Sequence, residues 1–504
     1  MIKTYARLLV CLGFSLSVCS ADWPQGAGPS ASYVTDGEAP REWSVVSGKN
    51  IVWAHKLPET GQSTVVCSAG RLFYTCYQKL KGDSELASEI VAYCADAETG
   101  EVIWERNIPG EYPLRLSGCF ADSTSPPPVT DGERVCFFNA SGGIVCFDLD
   151  GNQKWSRNSM PVARSQPFVV DGMVIYTRQM IMPKGGKFGH ENENAPQELW
   201  TQLAALELKT GSSAWISECG VNMGAIPMLS RLSDGKEVIV LGRGGGHSPP
   251  EKPLGVSMIE AATGKTLWTL SLNRFMSTQT YPVAEDHALI FHGPEHLWVN
   301  RSGRVDRRVN FCEGVSVRRW NGETYVDSVE DLNFKPSKGR AITQQSNLLI
   351  GDYHYFRAYG DTYLGRIHVQ TGEIEYLQLP VQVLRNKNQA DRLVWSLNES
   401  SFIPADMKNN DGFLVMGDRR SRTNTWGHHA SPIMTVVGSH LYIPTMSGTV
   451  YCIDWNVGSL DENAILSIND LGVAGPTWTR SSISFDSGKL YARTIKQLIC
   501  IGTN

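Results

Sequence analysis

The chain has 504 residues, of which 41% are hydrophobic and 19% are charged, with 48 glycines and 25 prolines. This composition is typical of a turn-rich globular protein, and the length favours a modular fold over a single compact core. The formal net charge is −5 and no block of like charges stands out. These features argue against nucleic acid and anionic membrane surfaces as partners.

The first residues predict a secretory signal peptide over 1–21. Lys3 and Arg7 form a short basic region, which an apolar run and a small-residue cleavage site follow. We therefore expect an exported protein, periplasmic or extracellular. A lipoprotein attached through Cys19 is the less favoured alternative, because Val18 fits poorly before a lipidation site. The apolar run is too short to span a bilayer, so no transmembrane segment is expected.

A tryptophan then returns about every 50 residues along the chain. The series is Trp53, Trp104, Trp155, Trp215 and Trp268. Four of these residues close a phrase with a turn and a strand, clearest in DAETGEVIW at 96–104. A fixed period with one turn-plus-aromatic signature per unit indicates a repeat architecture.

Each repeat unit predicts four short antiparallel strands, which is typical of a propeller blade. Strand-like runs such as 133–140 and 142–149 lie between the tryptophans. In the turns, Gly100, Gly211 and Gly264 are expected to supply the positive φ that the turn requires. The tryptophan that follows offers a large flat face for docking on the neighbouring blade.

After Trp268 the phrase decays, although the rhythm continues. Tyr376 stands where a tryptophan would close the next clear unit, and 298–309 has the shape of a degenerate unit before it. Trp320 has no Thr-Gly turn before it, so its spacing from Trp268 is interpreted as accidental.

The two chain ends complement each other. Residues 489–502 predict two inner strands without an outer strand, whereas 50–58 predict an outer strand without inner strands. The N-terminal strand is therefore expected to close the last blade and to remove exposed sheet edges. We predict one all-β domain over 22–504, an eight-bladed propeller and a monomer. Seven blades is the alternative, if a degenerate unit is an insertion.

Three long insertions, at 180–197, 242–253 and 384–426, are expected to crowd around one face of the disc. Binding residues are found disproportionately on such loops. The innermost strand of each blade is preceded by a polar position predicted to face the central channel. These positions are Gln62, Thr124, Arg164, Gly224, Gln279, His429 and Arg480. Two arginines and a histidine would suit an anionic ligand such as a uronate or an acidic peptide. The alternative is that these residues are solvated or satisfy backbone groups at strand ends.

Trp426, close to His428 and His429, could stack on a sugar or quinone, or could cap the rim instead. Seven of the cysteines lie in apolar strand-like runs and are interpreted as small buried residues of the sheets. The sequence contains no C-x-x-C pair. No metal site is therefore predicted from cysteine spacing.

The repeated phrase, best at Cys94–Trp104, resembles the tryptophan-docking repeat of the pyrroloquinoline quinone (PQQ) propeller superfamily. The segment DWPQGAGP, which follows the predicted cleavage site, is similar to that of secreted PQQ-like propellers common in planctomycete-type bacteria. The resemblance extends over the whole mature chain and implies the fold. It implies little about function, because the repeat is a docking device.

The resemblance implies two alternative biochemistries. Quinoprotein alcohol dehydrogenases hold PQQ and Ca²⁺, with a disulfide between adjacent cysteines against the quinone. BamB-like members carry no cofactor and are binding scaffolds. This sequence has no Cys-Cys dipeptide and no C-x-x-C-H haem motif, and no motif-anchored set of carboxylates for Ca²⁺ was found.

We therefore expect a non-catalytic binding or scaffold protein for a protein or polysaccharide partner. The alternative is a PQQ- and Ca²⁺-dependent oxidoreductase acting on an alcohol or a sugar. The residues that would then surround the cofactor are Arg164, Arg480, His429, Trp426, Gln279 and Thr124.

Overall fold

The computed structural model of the protein describes most of the chain. The described residues are 22–82, 89–110, 122–160, 162, 166–179, 183–184, 187–188, 196–222, 226–244, 252–273, 281–332, 346–358, 362–386, 389–396, 405–415, 432–473 and 475–503. The predicted signal peptide lies outside them. Among the described residues, no helix is both long enough and apolar enough to cross a membrane.

Within the described residues, eight four-stranded antiparallel blades form a closed ring, and in blades 1 to 7 the strand order follows the chain. Blade 1 comprises Val66–Ser68, Arg71–Tyr77, Ile90–Asp96 and Val102–Ile108. Blade 2 comprises Val129–Thr130, Arg134–Phe138, Gly143–Asp148 and Gln153–Asn158. Blade 3 comprises Phe168–Val170, Met173–Arg178, Gln202–Glu207 and Ser213–Ile216. Blade 4 comprises Ser230–Arg231, Glu237–Arg243, Gly255–Glu260 and Thr266–Ser271.

The second half of the ring contains the units in which the repeated phrase decays. Blade 5 comprises Val283–Ala284, His287–His292, Glu295–Val299 and Val305–Asn310. Blade 6 comprises Asn347–Ile350, Tyr353–Arg357, Tyr363–His368 and Ile374–Gln378. Blade 7 comprises Thr435–Val437, His440–Pro444, Thr449–Asp454 and Ile465–Asp470. Blade 8 comprises Ser484–Asp486, Lys489–Arg493 and Gln497–Ile501, and its outer strand is the N-terminal Ile51–Lys56.

This architecture confirms the predicted eight blades and the closure of the ring by the N-terminal strand. Blade 5 is the degenerate unit expected between Trp268 and Tyr376. Trp320 belongs to none of the outer strands. It ends the first strand of a hairpin, Val315–Trp320 and Tyr325–Glu330, that extends blade 6 by pairing parallel to Ile374–Gln378.

A few short elements lie outside the blades. They are the strand Val34–Thr35, the hairpins Pro183–Lys184 with Lys187–Phe188 and Val381–Asn386 with Gln389–Ser396, and the 3-10 helices Gln197–Leu199 and Glu462–Ala464. The described cysteines are buried and form no disulfides.

The N-terminal segment 22–35 fills the centre of the ring, which sequence reasoning did not foresee. Trp23 exchanges backbone hydrogen bonds with Cys67 in the innermost strand of blade 1. Further along the segment, Val34–Thr35 pairs parallel with the innermost strand of blade 7. Trp23 and Tyr33 are fully buried. The segment therefore lies inside the ring, hydrogen-bonded to the innermost strands of blades 1, 2 and 7.

The strand order gives the ring two different faces. The tight turns between first and second strands and between third and fourth strands lie on one face, here called the turn face. The connections from second to third strands and from one blade to the next lie on the opposite face, here called the loop face. The predicted insertions at 180–197, 242–253 and 384–426 are all connections of this second kind.

On the turn face, tryptophans of five outer strands contact the turn glycine of the next blade. A Cβ added at Gly211 would lie 2.6 Å from the Trp155 ring, and one at Gly151 would lie 3.0 Å from the Trp104 ring. The same contact joins Trp53 to Gly100, Trp215 to Gly264 and Trp268 to Gly303. Since these glycines have positive φ, a side chain there would be both strained and crowded.

Arginines take over this role in the next two seams. Arg307 of blade 5 donates to the carbonyls of Gln370 and Thr371 in the turn of blade 6. The fully buried Arg366 of blade 6 donates to the carbonyls of Val457 and Gly458, at 2.9 Å each. A tryptophan outside the outer strand also contributes to the first of these seams, since Trp298 Nε1 of blade 5 donates to the Val369 carbonyl of blade 6 at 3.0 Å.

Candidate functional site

The structure describes three of the seven positions that were predicted to face the channel. Gln62, Thr124 and Arg480 precede the innermost strands of blades 1, 2 and 8, so they meet at neighbouring strand ends on the loop face. The remaining predicted residues lie outside the described residues. They are Arg164, Gly224, Gln279, Trp426, His428 and His429.

Hydrogen bonds join the three described positions to one another. The Gln62 backbone N–H donates to Thr124 Oγ1 at 2.9 Å, and Arg480 Nη1 donates to Gln62 Oε1 at 2.9 Å. Gln62 and Thr124 are buried, whereas Arg480 is half-buried. Hydrogen bonds within the protein therefore hold these three polar residues in position.

Asp122 completes this group and was missed by sequence reasoning. Its Oδ1 accepts hydrogen bonds from the Thr124 backbone N–H at 2.8 Å and from Thr124 Oγ1 at 2.6 Å. The side chain is fully buried, and this burial raises the pKa of the carboxyl, while the Arg480 and Arg493 guanidinium groups act to lower it. We call Gln62, Asp122, Thr124 and Arg480 the inner polar cluster. The Asp-x-Thr spacing, which favours a side-chain-capped turn, was the available signal.

Arg493 lies beside this cluster and was also missed. It ends the second strand of blade 8 and donates from Nη1 to the Thr75 carbonyl at 2.7 Å and to Ser63 Oγ at 3.1 Å. Only 1% of the residue is exposed. The available signal was a repeat: an arginine also ends the second strand at Arg178, Arg243 and Arg357.

Apart from Arg493 Nε, three polar atoms at the site are buried and have no hydrogen-bond partner among the described residues. They are Thr60 Oγ1, Gln62 Nε2 and Asp122 Oδ2. They belong to one bonded group: the Tyr77 N–H donates to the Thr60 carbonyl, and the Tyr77 hydroxyl accepts from the N–H of Ser123, next to Asp122. An unsatisfied buried polar atom costs about 1–3 kcal/mol, so a group of them needs an explanation.

A described part of the long 384–426 insertion covers the same region. Residues 405–415, here called the strap, reach from the blade 6–7 connection across to blades 8 and 1. Asn409 Nδ2 donates to both carboxylate oxygens of Glu59, at 3.0 and 3.1 Å. The strap also buries Met407 against Trp478, two residues before Arg480. Both flanks of the inner polar cluster are therefore held by the strap.

The described residues do not fit the Ca²⁺ that accompanies PQQ in the dehydrogenases. Calcium takes six to eight oxygen ligands, several of them carboxylates. Both oxygens of Glu59 instead accept N–H groups, from Thr60 at 2.7 Å, Leu80 at 3.1 Å and Asn409. Asp122 is faced by two guanidinium groups. Across the part of the chain that the structure describes, no three His, Cys, Asp or Glu side chains gather as a metal site.

Known proteins resemble this chain in part of its sequence and in its architecture. A family sequence model described as outer membrane protein assembly factor BamB matches residues 25–217, which span the N-terminal segment and blades 1–3. No curated protein sequence matches the chain.

Solved structures resemble the chain over most of its length. Quinohemoprotein alcohol dehydrogenase from Comamonas testosteroni is 13% identical with a TM-score of 0.50, covering 95% of this chain and 80% of its own. BamB from Moraxella catarrhalis is 11% identical with a TM-score of 0.45, covering 90% of this chain and 96% of its own. A europium-containing methanol dehydrogenase is 10% identical with a TM-score of 0.49, covering 94% and 89%. Identities this low concern the fold alone. The chain is an eight-bladed β-propeller, and its residues 25–217 are similar to the family model described as outer membrane protein assembly factor BamB.

Proposed function

We propose that this protein is an exported binding propeller without catalysis of its own, which presents its loop face to a protein or polysaccharide partner. One observation supports the proposal: the inner polar cluster lies where the innermost strands of blades 1, 2 and 8 begin, on the loop face, while segment 22–35 lies inside the ring. The long connections converge on that face, and loops on a rigid scaffold are where propellers and other folds place their binding residues.

The rigidity of the ring also supports a scaffold role. Each described seam combines close packing with hydrogen bonds between blades, as in Trp104 Nε1 to the Leu149 carbonyl at 2.9 Å and Trp155 Nε1 to the Leu208 carbonyl at 2.9 Å. A preorganised surface loses little entropy when a partner binds, so more of the interaction free energy remains as affinity.

Photocrosslinking in the source cells tests which face is used. A photoreactive residue replaces Lys79, exposed on the loop face, and in a matched control it replaces Lys209, exposed in a turn of blade 3. We expect a discrete adduct from position 79 and none from position 209. Equal labelling from both faces, or labelling from position 209 alone, would contradict the proposal.

Dye reduction tests the competing oxidoreductase. The purified chain is incubated with PQQ and Ca²⁺ and then assayed with alcohols and sugars. We expect no PQQ-dependent turnover, and a rate that depends on both PQQ and substrate would overturn the proposal. Calorimetric titration of PQQ at micromolar concentration provides an independent readout of cofactor binding.

A further inference from the structure

The three unpartnered atoms at the loop face offer both kinds of hydrogen-bonding capacity. Gln62 Nε2 donates, Asp122 Oδ2 accepts as a carboxylate, and the Thr60 hydroxyl does either. Gln62 and Asp122 are 3% and 0% exposed. Hydrogen bonds with Thr124 and Ser125 also fix both residues. Their unpartnered atoms are therefore held in fixed positions, unlike the polar atoms of mobile surface side chains.

The charged groups around these atoms determine which ligand charge the site favours. A cation is disfavoured at Asp122 because the Arg480 and Arg493 guanidinium groups both act on its carboxyl. A strongly anionic ligand is disfavoured because it would meet the buried carboxyl groups of Asp122 and Glu59. A neutral group that both donates and accepts fits best, and a hydroxyl pair on a sugar ring has this property.

We propose that the inner polar cluster, with Thr60, binds neighbouring hydroxyl groups of a neutral saccharide. One sugar hydroxyl donates to Asp122 Oδ2, and hydroxyl oxygens accept from Gln62 Nε2 and the Thr60 hydroxyl. The inference rests on the proposed binding function and names the chemistry of its ligand. The strap, anchored at Glu59 by Asn409, lies beside this site.

Calorimetric titration of the whole mature chain with glucose, galactose, mannose and xylose tests this site. Galacturonate and calcium chloride are the charged comparison probes. We expect at least one neutral sugar to bind with a Kd of about 1 mM or lower. Asp122→Asn should weaken that binding at least tenfold. The matched control Asp150→Asn changes an exposed carboxylate on the turn face and should leave binding unchanged.

Thr60→Val separates binding from folding. This substitution removes a hydroxyl that has no partner without ligand, so the melting temperature of the free protein should stay constant or rise. Sugar affinity should nevertheless fall. A lower melting temperature together with unchanged affinity would contradict the assignment of this hydroxyl to the ligand.

Several results would overturn the inference. They are binding of galacturonate or calcium but of no neutral sugar, equal sugar binding by wild type and Asp122→Asn, and a crystal structure with only ordered water on the three atoms after a sugar soak. If the sugars fail while position 79 still crosslinks to a partner, the saccharide site is wrong and the binding function stands. If both fail, the proposed function itself is wrong.

Discussion

The seams between blades are held in two different ways in two regions of the ring. From blade 8 through blade 5, a tryptophan lies flat on a turn glycine of the next blade. From blade 5 through blade 7 the outer strands have no tryptophan, and arginines bind turn carbonyls of the next blade, with Arg366 fully buried and paired to Glu375 at 2.6 Å. Arginines also bind turn carbonyls in two tryptophan seams, through Arg106 and Arg157, but there they accompany the indole ring. The geometry of the ring is the same in both regions, although the chemistry differs.

This difference shows that blade docking requires filled space and satisfied turn carbonyls rather than a particular residue. A tryptophan seam is stabilised mainly by buried apolar area, which tolerates small shifts and is insensitive to pH. An arginine seam is stabilised by directional bonds to fixed acceptors, and removal of one partner leaves the others buried and unpaired. The following predictions test this comparison.

The largest effect is expected in a tryptophan seam. Trp104 is 7% exposed and packs against Phe73, Phe137 and Phe147. Trp104→Ala should lower the free energy of unfolding by about 4 kcal/mol, because a large cavity opens between two blades. Urea denaturation followed by tryptophan fluorescence and circular dichroism measures it. Trp320→Ala, on the hairpin outside the docking seams, is the control and should cost less than half as much.

A slightly smaller effect is expected in the seam between blades 6 and 7. Arg366→Met keeps most of the side-chain volume but removes the donor to Glu375 Oε2 and to the carbonyls of Val457 and Gly458, while Glu375 Oε1 keeps the Leu460 N–H. The expected loss is about 3 kcal/mol of unfolding free energy. Arg366→Lys keeps the positive charge but lacks the several N–H donors of the guanidinium group, so its loss of unfolding free energy should be intermediate. Equal stability of Arg366→Met and wild type would show that apolar packing alone holds this seam.

The third prediction concerns pH and a buried histidine pair between blades 5 and 6. His296 Nε2 lies 2.8 Å from His354 Nδ1, and His354 Nε2 lies 2.9 Å from Asn347 Oδ1. Burial lowers the pKa of His354 to about 3 and holds that of His296 well below its usual value. Both rings are therefore neutral in the folded protein at pH 6, whereas the unfolded chain takes up protons below about pH 6.5.

Because the unfolded state then binds more protons, stability should fall as the pH falls through this range. Between pH 7 and pH 5.5 the loss should be about 2–3 kcal/mol for the two histidines together. Urea midpoints at half-unit pH steps measure the slope, and His354→Gln should reduce it. An unchanged slope in this variant would place the pH sensitivity elsewhere in the ring.

The smallest effect separates backbone strain from tryptophan contact. Gly211 and Gly235 both have positive φ, of +71° and +86°, but only Gly211 faces a tryptophan, whereas a Cβ at Gly235 meets nothing within 4 Å. Gly235→Ala should cost about 1 kcal/mol for the left-handed backbone alone. Gly211→Ala should cost a further 1–2 kcal/mol, roughly, because its Cβ crowds Trp155. Identical losses of unfolding free energy in the two variants would mean that the Trp155 side chain shifts to make room for the added Cβ.

Part of the candidate site could be predicted from the sequence. The alignment of inner-strand starts selected Gln62, Thr124 and Arg480, which the structure brings together. Asp122 and Arg493 were missed although each had a local signal, the Asp-x-Thr spacing and the arginine that ends several second strands, because only the structure shows that both are buried beside Gln62, Thr124 and Arg480. Four of the predicted positions, together with Trp426, remain predictions because they lie outside the described residues.

The sequence by itself determined the number of blades, their closure by the N-terminal strand and the place of the degenerate unit between Trp268 and Tyr376. These features depend on local periodicity, which is set by the two-residue repeat of strands and by the turn that each glycine permits. Only the tertiary structure decided that segment 22–35 lies inside the ring, that arginines bind turn carbonyls in two seams whose outer strands lack tryptophan, and that the strap contacts Glu59 beside the inner polar cluster. Those features depend on contacts between residues far apart in the chain, which no local pattern encodes.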